Sequence, residues 1–412
     1  MEVTIQSIMA QTLTVGTSET QFLVQDFAVI MIVAAVMLLI THKLKQPMVI
    51  GYIIAGMIIG PYTPPFSMIH DLSLLNNLAE LGIIILMFVI GTEFPIAKLR
   101  SVGKTSLVIA LTESLTTLII VFFVSQTLGF SYFDSLFLAL AMSITSTIVT
   151  IKVLEELGII KEKSSVVILG MLIVEDVLAV TALGVLQSIV VEEISAIELS
   201  ISLGVVAAFI GGILILGSRF LPHIIDKVAR TNDYSVLLIV ILGLAFGLSF
   251  AASELGLSVV IGAFLAGVLV AESASAPIAR VVTVPLRDVF AAIFFVSVGA
   301  LMDISKIPIF IIPAIILIIT SFATKFLITA FMLSRIGREG TTAIRTGLGI
   351  AAARGELSLV IGKAGQDIGA VSSFILPILG VVTIVTTFVT PYILKLGTRL
   401  NISTSDREDK GR

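Results

Sequence analysis

Apolar stretches long enough to cross a bilayer follow one another along almost the whole of this 412-residue chain. A bilayer interior offers no water to backbone N–H and C=O groups, so a chain of this kind crosses it as helices. With 57% hydrophobic and 13% charged residues, and a mean hydropathy of +1.14, a soluble globule is excluded. We therefore predict an all-α polytopic membrane protein of about thirteen transmembrane helices, near 25–43, 47–60, 75–94, 104–128, 132–156, 164–190, 199–219, 234–253, 256–271, 286–304, 307–335, 341–364 and 370–397.

The basic residues predict how these spans are oriented. If the N-terminus is outside, 21 of the 25 lysines and arginines fall on the inner side, and Lys306 and Lys363 fall on the outer side. Cytoplasmic loops are enriched in lysine and arginine. We therefore expect the N-terminus outside, the C-terminus in the cytoplasm and a location in the cell (inner) membrane. Two basic residues remain inside spans, Lys325 and Arg354.

An internal repeat indicates the architecture. VIGYIIAG at 49–56 recurs as VIGAFLAG at 260–267, and MFVIGTEF at 87–94 is echoed by FVSVGALMD at 295–303. The copies lie seven spans apart, an odd number, so the second half enters the membrane the opposite way up. Inverted-topology repeats of this kind are typical of secondary transporters.

Spans 5 and 12 are equivalent under this repeat, and both carry polar residues at mid-depth, in ALAMSITSTIVTIK and GIAAARGELSLVI. Such transporters often contain discontinuous helices, whose ends face an ion near the midplane. For span 5 an unbroken helix is equally open, because Ser and Thr hydroxyls can bond to carbonyls one turn back.

Two adjacent acids, Glu175 and Asp176, lie in the middle of the apolar stretch 169–191. One charge at bilayer depth costs on the order of 3 kcal/mol, so this pair indicates an ion or proton site. A carboxylate removed from water holds its proton more tightly, and a buried aspartate can then exchange a proton for Na⁺. We choose Asp176 for that role, with further oxygen ligands around Thr145, Ser146 and Thr147.

The other charges within spans have separate expectations. Adjacent helical residues point about 100° apart, so we predict that Glu175 forms a salt bridge with Lys325 instead of sharing the role of Asp176. The alternative is that Lys325 reaches a lipid headgroup or a water-filled vestibule. Glu113 is deep in span 4 and is a candidate for a proton path, or is held neutral by hydrogen bonding. For Arg354 and Glu356 there are two alternatives, a role as ligands or a local structural ion pair with each other.

Taken in this order, the Glu-Asp pair, the Thr-Ser-Thr cluster, FFVSVGALMD and ARGELSLVI resemble the second cation:proton antiporter family over residues 25–397. That family includes NapA-like sodium/proton and Kef-type potassium/proton antiporters and shares the NhaA-like fold. The resemblance implies two crossing discontinuous helices and a homodimer. It also implies one transmembrane unit (1–397) with a cytoplasmic tail (398–412), divided into a dimerisation domain of about 25–60 and 199–271 and a core of about 75–190 and 286–397.

The resemblance also implies roles for single residues. Asp176 occupies the position of the aspartate that binds the ion, and Lys325 that of the lysine paired with the first motif acid in electrogenic members. Arg354 and Glu356 match charges that neutralise the ends of the second broken helix. Many sodium-linked members carry two aspartates and many Kef-type members Gln-Asp, so an acid at Glu175 favours an electrogenic, sodium-linked antiporter.

We therefore expect Na⁺ (or Li⁺)/H⁺ antiport, with Kef-type K⁺/H⁺ antiport as the alternative. A cation channel is less favoured because of the inverted repeat. An intramembrane aspartyl enzyme is less favoured because a carboxylate dyad needs acids that face each other across helices. The chain has no cysteine and three histidines near predicted loops, so we expect no metal cofactor. The expected partners are monovalent cations, protons and membrane lipid, and no nucleic acid.

Overall fold

The structure is a computed structural model that describes residues 24–44, 46–63, 68–69, 72–93, 103–190, 204, 208–209, 211–231, 233–255, 259–303, 305, 307–337 and 340–399. Within these ranges a helix lies at each of the thirteen predicted positions, which confirms the all-α fold. Residues 191–203, 306 and 400–412 lie outside the described residues. The predictions for Lys306 and for most of the tail therefore remain predictions.

The helices follow the chain with short connections, and the fifth and twelfth are each divided into two halves. We number them α1 (Val24–Lys43), α2 (Met48–Ile59), α3 (Leu72–Thr92), α4 (Lys104–Thr127), α5a (Tyr132–Met142), α5b (Thr147–Glu156), α6 (Lys163–Val190), α7 (Ser218–Ala229, preceded by a π-helical turn, Ile213–Gly217), α8 (Tyr234–Glu254), α9 (Val259–Ala271), α10 (Ala276–Ala300), α11 (Ile307–Arg335), α12a (Gly340–Ala352), α12b (Glu356–Asp367) and α13 (Ile375–Arg399).

Local sequence explains several helix boundaries. The Ser131 hydroxyl accepts a hydrogen bond from the Asp134 N–H and caps α5a, and the Asp233 carboxylate caps α8. The predicted start of span 10, residue 286, is wrong by ten residues, since α10 begins at Ala276 with a proline in its first turn. Hydropathy excluded residues 276–285 because of Arg280, yet a charged residue at a membrane boundary does not prevent a helix from continuing.

Both equivalent helices are broken, which decides between the alternatives left open for span 5. We call the two interruptions, 143–146 and 353–355, the crossing, because they lie against each other. The Ser146 N–H donates to the Ala353 carbonyl over 3.0 Å, and the Thr145 hydroxyl donates to the Ile350 carbonyl over 2.6 Å. A Cβ added at Gly355 would lie 2.3 Å from the Ser146 hydroxyl. Position 355 therefore requires a glycine, because a side chain there would prevent the two breaks from approaching this closely.

The repeated glycines form two equivalent helix contacts. A Cβ added at Gly56 in α2 would lie 2.0 Å from the Val296 carbonyl oxygen in α10. Its repeat partner, Gly267 in α9, would meet the Phe88 carbonyl oxygen in α3 at the same 2.0 Å. Small residues let helix backbones touch in membranes. The sequence repeat therefore specifies one contact twice, α2 with α10 and α9 with α3.

Two groups of helices result from this packing. The first contains α2, α3, α9 and α10, joined through the glycine contacts, with α8 packed on α9. The second contains α4, α5a, α6, α11, α12a and α13, which pack around the crossing. The crossing thus lies inside the second group, where broken backbone is surrounded by protein.

These glycine contacts predict a stability effect. Gly56→Ala and Gly267→Ala should each destabilise the protein by about 1–3 kcal/mol, because the added methyl groups force the backbones apart. Gly243→Ala in α8 is the control, since nothing lies within 4 Å of its added Cβ. Thermal unfolding in detergent measures all three. Equal Tm values for the three variants would show that the glycine contacts are not required.

Candidate functional site

Asp176 lies on α6 beside the first residue of α5b. Its side chain is 2% exposed, and its Oδ2 accepts a hydrogen bond from the Thr147 hydroxyl over 2.7 Å. Within the described part of the chain no donor reaches its Oδ1. A buried carboxylate oxygen without a partner is costly, and it offers a ligand position to a proton or a cation.

Glu175, the neighbouring acid, turns to different partners. Its Oε2 accepts a hydrogen bond from the Thr145 N–H over 2.8 Å and lies 3.3 Å from Lys325 Nζ. The structure thus brings together Glu175 and Lys325, which the depth of the two residues predicted. Lys325 is fully buried, so its amine does not reach the membrane surface.

Lys325 has a nearer carboxylate that the sequence interpretation missed. Its Nζ lies 2.8 Å from Glu113 Oε1 and donates to the Ser143 carbonyl over 2.6 Å. The same Glu113 oxygen accepts a hydrogen bond from the Thr117 hydroxyl over 3.0 Å. Lys325 therefore contacts two acids and one helix end, and its single charge can balance one of the two acids. The sequence showed that Glu113 lies deep in span 4, but it did not show that α4 packs against α11 and so places Glu113 beside Lys325.

The local ion pair that was one alternative for Arg354 and Glu356 is not formed, since the described residues contain no salt bridge between them. The Arg354 guanidinium donates to the Ala353 carbonyl over 3.0 Å and to the Ser321 hydroxyl. Residues two apart across a helix break point in different directions, so proximity in sequence does not make them partners. Two threonines of α13 hold the Arg354 backbone. The Arg354 N–H donates to the Thr386 hydroxyl, and the Thr387 hydroxyl donates to the Arg354 carbonyl.

Glu356, the first residue of α12b, is 5% exposed. Its Oε2 accepts a hydrogen bond from the Ser146 hydroxyl over 3.4 Å. It also lines a cavity of about 120 Å³ between the two groups of helices. Lys363, expected on the outer side, lies further along α12b with its side chain buried and paired with Asp367.

The charged groups at the crossing do not balance. Four acids meet two cations there, and all six side chains are buried: Glu113, Glu175, Asp176 and Glu356 against Lys325 and Arg354. An excess of buried acid must bind protons or cations, since isolated buried charge is strongly disfavoured. The arrangement can therefore take up H⁺ or a monovalent cation on carboxylate, hydroxyl and backbone oxygens.

Broken helices that cross at a buried acid, inside an inverted repeat of membrane helices, define a secondary transporter. The family model of transmembrane sodium/hydrogen exchangers matches residues 29–397. The chain belongs to this family, and it is therefore a cation/proton antiporter and not an enzyme.

Individual relatives agree on the class. The chain is similar to the putative cation/proton antiporter YbaL of Escherichia coli (29% identity over 82% of this chain), of which it spans 61%. It is similar to the Na⁺/H⁺ antiporter of Enterococcus hirae, with 27% identity over 87% of this chain and 94% of that protein. It is also similar to the K⁺/H⁺ antiporter subunit KhtU of Bacillus subtilis, with 25% identity over 92% and 94%.

The fold also matches a solved structure. The sodium proton antiporter MjNhaP1 from Methanocaldococcus jannaschii superposes with a TM-score of 0.69. The superposition covers 94% of this chain and 97% of that chain at 18% identity. At this identity the match establishes the shared fold.

The shared lysine predicts a stability effect. Lys325→Ala should lower the free energy of unfolding by about 3–5 kcal/mol, because it leaves two buried acids without a counter-ion. Adding Glu113→Leu to that variant should recover part of the loss. Lys395→Ala, an exposed residue of α13, is the control. Thermal unfolding in detergent is the measurement, and a Lys325→Ala protein as stable as the parent would contradict the pairing.

Proposed function

We propose that this protein exchanges Na⁺ (or Li⁺) for H⁺ across the cell membrane by alternating access, with both ions competing for Asp176. The observation that carries this is the unpartnered Oδ1 of Asp176, buried at the crossing of two broken helices. The Thr147 hydroxyl holds the other oxygen. Hydroxyl and backbone oxygens of Thr145 and Ser146 complete the proposed ligand set.

In this proposal Lys325 is the counter-ion that Glu113 and Glu175 share. It lies between Glu113 and Glu175, so it retains one carboxylate partner if the other moves. Glu113 accordingly serves as a second counter-ion and not as a step on a proton path. Arg354 lies at the C-terminal end of α12a and Glu356 at the N-terminal end of α12b. A cation stabilises the negative end of one helix dipole, and an acid stabilises the positive end of the other.

The cavity supports access from one side. It separates α2 and α10 from α5b and α12b. Its lining includes the exposed Lys152 and the half-buried Arg287, which the charge pattern places on the cytoplasmic side. We propose that the N-terminus is outside, the C-terminus is cytoplasmic, and the cavity is the inward-facing access path.

We also propose that a scaffold, which forms a homodimer, holds a mobile core. The sequence-based division placed α3 and α10 in the core, at 75–190 and 286–397. Their backbone contacts with α9 and α2 at Gly267 and Gly56 favour including them in the scaffold with 25–60 and 199–271. The boundary then runs through the cavity.

K⁺/H⁺ antiport is the second candidate. Similarity to KhtU, whose name gives K⁺ as its ion, is as extensive as similarity to the Na⁺/H⁺ antiporter of Enterococcus hirae. Proteoliposomes with an internal pH dye distinguish the two when Na⁺, Li⁺ and K⁺ gradients are applied in turn. Proton movement driven by Na⁺ or Li⁺ and not by K⁺ is the expected result, and the reverse order would establish the K⁺ alternative.

Asp176→Asn should abolish cation-driven proton movement in these proteoliposomes, since an amide neither releases a proton nor carries the charge that attracts a cation. Asp233→Asn is the matched control, because Asp233 is an exposed helix cap and asparagine caps equally well. It should exchange at the parent rate. Exchange by a folded Asp176→Asn protein at the parent rate would remove Asp176 from the mechanism.

A further inference from the structure

The cavity between the two groups of helices does not reach the proposed ion site. It has a volume of about 120 Å³, and Glu356 is the innermost charged residue that lines it. Asp176 is not among the lining residues. An ion that enters from this side therefore meets Glu356 before it meets Asp176.

The charged residues of the lining differ in exposure. Asp288 is 57% exposed and pairs with Arg287, itself 25% exposed, over 2.7 Å. Lys152 is also exposed. Glu356, by contrast, is 5% exposed. The mouth thus carries a neutralised pair and one cation, and the inner end carries an acid.

The Glu356 carboxylate is poorly neutralised. Its hydrogen bond from the Ser146 hydroxyl is long, 3.4 Å, and no lysine or arginine of the described residues lies within salt-bridge distance of it. Arg354, two residues away, donates to Ser321 and to the Ala353 carbonyl instead. The backbone N–H of Glu356 also bonds to its carboxylate, and Arg287 interacts with the carboxylate at longer range while it pairs with Asp288. A buried acid that borders a cavity and has no cation at salt-bridge distance attracts a cation into that cavity.

Ser146 links this acid to the ion site. Its hydroxyl donates to Glu356, and the next residue, Thr147, donates to Asp176. We propose that Glu356 is a first docking site for a hydrated monovalent cation, which then passes along residues 145–147 to Asp176. This rests on the proposed function. The simpler alternative is that Glu356 only neutralises the N-terminal end of α12b.

Kinetics of exchange distinguish the two roles. Glu356→Gln should raise the cation KM about tenfold and leave the maximal rate within about twofold, since only the capture of the cation is weakened. Glu356→Asp keeps the charge and should restore a KM close to that of the parent. Asp233→Asn is the control and should show the KM of the parent protein. A parental KM in Glu356→Gln, or complete loss of exchange in a folded Glu356→Gln protein, would overturn the docking role.

A second measurement does not depend on transport. The chain has no cysteine, so Ile148→Cys, at an exposed position of the cavity wall, provides a single thiol. A cationic methanethiosulfonate reagent should label it faster than an anionic one, and Na⁺ should slow the cationic reagent. Adding Glu356→Gln should reduce the cation preference about tenfold. Equal labelling by both reagents in the parent background would contradict the proposal even if Glu356→Gln does not fold.

The two proposals fail separately. If Asp176→Asn exchanges at the parent rate while Glu356→Gln raises the KM, the docking site stands and the assignment of Asp176 falls. If Asp176→Asn is inactive while Glu356→Gln has the parental KM and labelling, Asp176 stands and the docking site falls.

Discussion

The structure depends on the two helix breaks satisfying each other inside the membrane. Each break exposes backbone N–H and C=O groups where lipid offers no partners, and each unsatisfied group costs several kcal/mol. The Ser146 N–H to Ala353 carbonyl bond and the Thr145 hydroxyl to Ile350 carbonyl bond join the breaks directly. The same groups that make the fold possible at this depth therefore make the site.

The charges follow the helix ends. Lys325 donates to the Ser143 carbonyl after α5a, and Arg354 to the Ala353 carbonyl after α12a, where helix dipoles are negative. Glu175 accepts from the Thr145 N–H before α5b, and Glu356 begins α12b. Asp176 holds neither a helix end nor a salt bridge among the described residues, and it accepts a hydrogen bond from the Thr147 hydroxyl. It is therefore the acid least committed to the fold and the one most available to an exchanged ion.

Hydropathy and charge predicted the thirteen helices from sequence, because apolar stretches and basic loops recur along the chain. The repeat made spans 5 and 12 equivalent and left the break in span 5 open, and the resemblance to the antiporter family implied that both helices are discontinuous. Side-chain contacts that depend on how the helices pack could not be predicted from the sequence. Glu113 was recognised as deep, but its contact with Lys325 required knowing that α4 faces α11. Arg354 and Glu356 are close in sequence, and the break turns them apart. The start of α10 was missed because the hydropathy pattern assigned Arg280 to a loop.

Competition between a proton and a cation for Asp176 is tested most directly by proton release on cation binding to the purified protein in detergent, without any transport. A lightly buffered solution with a pH dye should report about one proton released for each Na⁺ bound at neutral pH, because both ions compete for one carboxylate. Cation binding with no proton release would contradict competition at Asp176, and with it the proposed mechanism of exchange.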